Sequence, residues 1–218
     1  MMTREREMRL ERVRRLLEEP VVAVLRTRTS EEAARSGMAM AAGGIRRLEV
    51  TFSVPDAPAV MRELARDTEA MVGAGSILSV EDGIAALEGG ADFLVAPLLL
   101  PELVPLAREA GAAVILGGIT PTEILAARRA GADLVKVFPV DCVGGPLFLE
   151  EVLPVLRDVP VMVSGGVDET NLREYLARGA SMAALGDVLT PEEEVARGDS
   201  RALAERARRF VALARGGA

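Results

Sequence analysis

The chain has no histidine, no tryptophan, one tyrosine and one cysteine. Each gap removes a class of chemistry. Without histidine there is no Ser–His–Asp triad, no histidine-based metal site and no imidazole acid–base catalysis. A lone cysteine cannot form an intrachain disulfide framework. Aromatic residues make up 3% of the chain and the net charge is −7. The basic stripe and interleaved aromatics of a nucleic-acid binder are therefore missing. No apolar run approaches the roughly eighteen residues of a membrane span. The N-terminal MMTREREMRLERVRRLLEE lacks the apolar centre of a signal peptide. The expectation is a soluble cytoplasmic protein with no nucleic-acid or membrane partner. No metal-ligand cluster is visible, and neither a metal nor a cofactor is expected.

Lysine is the most informative scarcity. Of 26 basic residues, Lys136 is the only lysine and all the others are arginine. Wherever a generic positive charge would serve, this chain uses arginine. At position 136 it does not.

What is present is an ordinary globular composition. Half of the 218 residues are hydrophobic and 27% are charged, with 21 glycines and 12 prolines. One pattern recurs along the chain: an amphipathic stretch, a glycine-containing stop, then a short β-rich run. It reads GGIRRLEVTF, EGGADFLVAP, EAGAAVILGG, RAGADLVKVF and ARGASMAALG. Each glycine stands where a helix C-cap is expected, and Ser79, Thr120 and Asp168 stand where the next helix would begin. The pattern predicts strands at 21–25, 47–51, 71–74, 92–96, 113–116, 133–138, 161–163 and 182–185. Helices are predicted at 30–42, 56–66, 80–88, 101–109, 121–130, 147–156, 169–177 and 201–214. Strict alternation implies parallel strands with right-handed crossovers. Eight such units make a (β/α)₈ TIM barrel of minimal size, read as one domain over residues 1–218. A further amphipathic helix at about 4–18 would lie across one end of the barrel. A doubly wound sheet would want a glycine-rich turn after its first strand, and VLRTRTSEE has none.

Sites in such barrels lie at the C-terminal strand ends. Strand alternation puts Leu134, Lys136 and Phe138 on one face, and a charge between Val135 and Val137 is best placed inward. An amine held out of water favours its neutral, nucleophilic form and can form a Schiff base with a carbonyl, which arginine cannot. The alternative is a structural ion pair. Glu49 shares a face with Thr51, opposite Leu48 and Val50. Either it shuttles protons or it only neutralises Lys136. Ser164-Gly165-Gly166 and Gly186-Asp187 follow the last two strands, where phosphate-binding barrels hold an anion. They could equally be tight turns, and the Asp187 carboxylate opposes an anion. Ser76, closing the third strand, is a candidate hydrogen-bond donor. Arg26, closing the first, could clamp a carboxylate or form a rim salt bridge. Cys142 has no base motif beside it and reads as incidental.

Taken in order, VVAVLR at 21–26, GGIRRLEVTF at 43–52, VGAGS at 72–76, VKVFP at 135–139, SGG at 164–166 and LGD at 185–187 carry a family likeness. The chain resembles the 2-keto-3-deoxy-6-phosphogluconate and 4-hydroxy-2-oxoglutarate aldolases, metal-independent class I enzymes that are usually homotrimers. The resemblance implies reversible cleavage of a 4-hydroxy-2-oxo acid to pyruvate and an aldehyde. Lys136 would form the Schiff base and Glu49 would act as general acid/base. Arg26 and Ser76 would hold the pyruvate carboxylate. The 164–166 and 186–187 turns would receive the far end of the substrate, and Thr51, Pro97 and Phe138 would complete the binding set. Several positions depart from the family pattern. The family's serine after the strand-8 glycine is Asp187 here, and its Ser-Pro after strand 4 is Ala96-Pro97. An arginine shortly after the glutamate in some members is Ser53. Two alternatives follow: an aldolase for an unphosphorylated 2-keto-3-deoxy sugar acid, or a phosphosugar isomerase- or decarboxylase-type barrel without imine chemistry. A catalytically silent barrel that binds an acidic metabolite is a third.

Overall fold

A computed structural model describes residues 4–157 and 159–216. Eight parallel strands close into a barrel in sequence order, each bonded to its neighbours and β8 to β1. The N-terminal helix α1 (Arg4–Leu17) precedes β1 (Val21–Leu25), α2 (Ser30–Ala42), β2 (Arg47–Thr51) and α3 (Ala57–Asp67). Next come β3 (Met71–Gly75), α4 (Val80–Glu88), β4 (Phe93–Val95), α5 (Leu103–Glu109), β5 (Ala113–Gly117) and α6 (Pro121–Ala130). The chain continues through β6 (Leu134–Val137), a 3₁₀ turn (Asp141–Val143), α7 (Pro146–Leu156), β7 (Val161–Ser164) and α8 (Leu172–Ala177). β8 (Met182–Leu185), α9 (Glu192–Arg197) and α10 (Ser200–Ala214) complete the order.

Strand alternation sorts the apolar side chains into two cores. One residue set, including Leu48, Val50, Val135, Val137 and Val163, packs outward beneath the helices. The alternate set, including Val22, Met71, Phe93, Ile115, Leu134, Met162 and Met182, fills the barrel. Leu16 of α1 is fully buried and belongs to the interior set. Helix α1 therefore closes the N-terminal end of the barrel from below.

Polar contacts fasten that closure. Arg12 donates to Asp92 at 2.9 Å, Arg9 pairs with Asp133, and the buried Arg47 donates to the Arg15 carbonyl. Asp92 and Asp133 also accept from the backbone N–H of Val72 (3.3 Å) and Val114 (3.0 Å) on the preceding strands. Here the structure corrects the sequence reading. β4 and β6 begin one residue later than predicted, and the Asp92 and Asp133 N–H groups just ahead of them still bond the Val72 and Val114 carbonyls. Burial pushes the Asp133 carboxyl up from its ordinary range, while the Val114 N–H and Arg9 pull it down.

Other boundaries move for local reasons. Ser79 and Thr120 cap α4 and α6 as expected, Thr120 within a capping box with Glu123. Asp168 does not cap a helix. Its carboxylate takes the N–H and hydroxyl of Thr170, and α8 starts only at Leu172, behind Asn171. Helix α9 was not predicted. Pro191 followed by Glu192, Glu193 and Glu194 is a legible start signal for it.

Truncating the plug should separate stability from activity. Leu16→Ala removes a fully buried side chain at the end remote from the strand C-termini. It should lower unfolding free energy by about 2–5 kcal/mol in denaturant titration.

Candidate active site

Lys136 and Glu49 project from β6 and β2 into the barrel and meet there, Nζ to Oε1 at 3.3 Å. Glu49 is fully buried and Lys136 nearly so. Burying either charge alone would be costly, so each lowers the cost of the other. The meeting depends on missing side chains. Glu49 is flanked by Gly73 on β3, and Lys136 by Gly117 on β5. A Cβ on Gly73 would strike the Phe93 ring, one on Gly117 would strike the Pro97 backbone, and one on Gly75 would strike the Glu49 carboxylate. The second oxygen of that carboxylate, Oε2, is buried and has no hydrogen-bond partner among the described residues.

Above the pair opens a cavity of about 880 Å³ at the C-terminal ends of the strands. Ten of the sequence candidates line it: Lys136, Arg26, Ser76, Pro97, Phe138, Ser164, Gly165, Gly166, Gly186 and Asp187. Arg26 donates to the Ser76 hydroxyl at 3.0 Å. Ser76 holds that place in a left-handed conformation (φ 56°), which an L-residue adopts only at a cost. Phe138 follows the end of β6, where Pro139 has no N–H with which to continue the ladder. Its ring lies 5.7 Å from the Lys136 ammonium nitrogen, in cation–π range. Ser164 donates to the Ala184 carbonyl at 3.2 Å.

Gly165 and Gly166 both have positive φ, 85° and 73°. That backbone is open to glycine and strained for other residues. The turn is held by Asn171, whose amide donates to the Gly166 carbonyl at 2.8 Å. The expected helix N-terminus is not at this turn, because α8 begins at Leu172.

Two candidates do not line the cavity. Glu49 lies beneath its floor and touches it through Lys136. Thr51 is fully buried, with its hydroxyl bonded to the Leu25 carbonyl (3.2 Å) and to Ser53 (2.8 Å). Sequence reading missed part of the wall: Val24, Phe52, Leu78, Asp82, Val167 and Val188. Apolar residues there carry no signal to set them apart from core. Asp82 accepts from the Leu78 N–H at 3.1 Å and reads locally as part of a helix start. Cys142 is exposed, and its thiol is pushed up by the hydrogen bond with Asp141. Among the described residues, no three His, Cys, Asp or Glu side chains converge to hold a metal ion.

A closed parallel barrel with a buried amine and carboxylate under a cavity of this size has the layout of a barrel enzyme for a small molecule. Comparison with known proteins specifies the kind. The KDPG and KHG aldolase family matches residues 13–205. A 2-dehydro-3-deoxy-phosphogluconate aldolase of Treponema pallidum is 34% identical over 193 residues, covering 87% of this chain and 88% of that one. The KHG/KDPG aldolase of Escherichia coli is 32% identical, covering 88% and 91%. The crystal structure of 2-keto-3-deoxy-6-phosphogluconate aldolase from Zymomonas mobilis superposes with a TM-score of 0.79 at 28% identity, covering 90% of this chain and 96% of that one. The chain belongs to the KDPG and KHG aldolase family, and it is a carbon–carbon lyase.

Gly75→Ala tests the floor of the site. The new methyl group would displace the Glu49 carboxylate. Turnover should fall by about 100-fold, the scale of a misplaced reacting group, while the far-ultraviolet circular dichroism stays that of the barrel.

Proposed function

We propose that the chain cleaves a 4-hydroxy-2-oxo acid reversibly to pyruvate and an aldehyde through a Schiff base on Lys136. The observation that carries this is the Lys136–Glu49 contact at 3.3 Å beneath the cavity. The relatives' names supply the substrate type, 2-keto-3-deoxy-6-phosphogluconate and 4-hydroxy-2-oxoglutarate. Their cleavage yields glyceraldehyde 3-phosphate or glyoxylate beside pyruvate.

Lys136 Nζ attacks C2 of the substrate and forms a carbinolamine. Loss of water leaves an iminium, which draws electrons from the C3–C4 bond. Glu49 takes the proton of the C4 hydroxyl, through water. The C3–C4 bond then breaks, the aldehyde departs and its electron pair remains as an enamine. Glu49 returns the proton to C3, and water hydrolyses the iminium to pyruvate and the free amine. The unpartnered Oε2 supports this role, since that oxygen is free to hold a proton or bond a water. Arg26 and Ser76 grip the C1 carboxylate. The ring of Phe138 covers the amine, and the Gly165–Gly166 turn with Ser164, Gly186 and Asp187 receives the far end. Thr51 acts at one remove, bracing Ser53 in the cavity wall.

The family match and the barrel together support reading residues 1–218 as one domain. A homotrimer is the proposed assembly, supported by exposed Leu78, Ile84, Leu98 and Leu99 on α4 and on the segments that follow β3 and β4. A cytoplasmic location is proposed alongside it. Among the described residues no helix is long and apolar enough to cross a membrane.

Borohydride trapping with pyruvate, read by peptide mass spectrometry, tests the reading directly. A stable pyruvyl adduct is expected on Lys136, the only lysine in the chain. An unmodified Lys136 in folded protein would overturn it. Lys136→Arg keeps the charge and should abolish the adduct, with turnover down by about 10³-fold or more. Glu49→Gln should lower turnover by about 10²–10⁴-fold, the usual worth of a general acid/base.

A further inference from the structure

Two consecutive glycines at positive φ would leave the turn after β7 free to adopt several backbones. Yet this turn lines the cavity. The N–H groups of Gly165, Gly166 and Val167 have no acceptor among the described residues, so they are open to a ligand. Donors serve a ligand only where their positions are fixed.

One side chain fixes them. Asn171 Oδ1 accepts from the Asp168 N–H at 2.9 Å, and Nδ2 donates to the Gly166 carbonyl at 2.8 Å. The amide uses its acceptor on one side of Val167 and its donor on the other. Asp168 adds a second tie, its Oδ1 accepting from the Thr170 N–H at 2.7 Å and from the Thr170 hydroxyl at 2.6 Å. Asn171 stands just ahead of α8, where an asparagine ordinarily caps the helix. It makes no capping bond, because its side chain is turned back on the loop. On its other side the turn rests on the segment that follows Lys136. A Cβ on Gly165 would press on Pro139, and one on Gly166 would strike Asp141.

We propose that Asn171 is a positioning residue, setting the Gly165–Gly166 turn so that its free N–H groups meet the far end of the substrate. The assignment rests on the aldolase reading above and names what makes its far-end grip rigid. Asn171 itself does not line the cavity. The two ends of the reaction therefore separate. Pyruvate condenses with the Lys136 amine and loses water, Glu49 removes a C3 proton to give the enamine, and a solvent deuteron is returned to C3. That exchange does not use the turn, whereas cleavage of the full-length substrate does.

The test measures both reactions on one preparation, so their ratio does not depend on the fraction of active enzyme. Exchange at C3 of pyruvate is followed in D₂O. Cleavage is read as kcat/KM on whichever of 2-keto-3-deoxy-6-phosphogluconate and 4-hydroxy-2-oxoglutarate the wild type turns over faster. Asn171→Ala removes both bonds and should lower cleavage by about 30-fold or more, with exchange held within about twofold. Asn171→Leu keeps the size without the hydrogen bonds. It should shift the ratio the same way, and it decides the matter if the alanine variant does not fold. A ratio that moves by less than about threefold, including exchange that falls in step with cleavage, would overturn the role of Asn171 alone. A folded wild-type protein that neither exchanges pyruvate nor cleaves either substrate would sink the aldolase reading beneath it.

Discussion

The contact between Lys136 and Glu49 sets the terms for the rest of the barrel interior. Two ionisable side chains from strands on opposite sides of a closed barrel can meet only if the layer between them is nearly empty. Glycine at 73, 75 and 117 provides that space, and Phe93 takes up what remains by lying over Gly73. Burial then makes the pair interdependent, because removing one partner strands a charge in a low-dielectric site. A pair placed this way is a poor source of stability. Its value lies in holding an amine and a carboxylate ready, out of bulk water, directly below the opening where a carbonyl compound arrives.

Everything below that layer does the opposite work. Leu16, Met71, Leu134 and Met182 make the lower interior apolar. Arginines on α1 fasten its cover to Asp92 and Asp133, the residues just ahead of two strands. The same aspartates bond the backbone of neighbouring strands, so the cover and the barrel rim are joined through shared side chains. The charges of the lower end are spent on mutual pairing, with Arg47 held by the Arg15 carbonyl and near Glu18 and Glu19. At the upper end Arg26, Lys136 and Asp187 face the cavity. One strand, β2, shows the division within five residues: Arg47 fastens the lower cover, Glu49 meets Lys136 beneath the cavity and Thr51 braces Ser53 in its wall.

The repeat of glycine stop and β-rich run made all eight strands legible, because helix ending and strand burial leave separate marks in the sequence. Boundaries failed where a side chain bonds the backbone around an element's end. Asp92 and Asp133 bond the strand next door through both backbone and carboxylate, and periodicity cannot tell such a residue from the first of a strand. Asp168 looks like a helix cap until Thr170 is seen to claim it. Lys136 and Glu49 were readable because a charge in an apolar strand has few explanations. Thr51 shows the limit of that logic. Alternation put it on the face of Glu49, yet its hydroxyl turns to the Leu25 carbonyl, a choice that periodicity does not encode. The apolar wall of Val24, Val167 and Val188 could not be told from core, since the difference is only the empty space beside it.

The isolation of Lys136 among arginines follows from the same geometry. Elsewhere in the chain a cation has to pair, cap or stay in water, and a guanidinium does each at least as well as an ammonium. Arg12 and Arg47 show this even in partly or fully buried positions, where the planar group reaches two acceptors at once. At 136 the requirement is different in kind. In the proposed reaction the group loses its proton, forms a covalent bond to carbon and recovers, and guanidinium stays protonated throughout the range in which a protein folds. A compositional drift towards arginine can therefore pass through every basic position that acts by charge. It stops at the one position to which the proposed mechanism assigns bond formation.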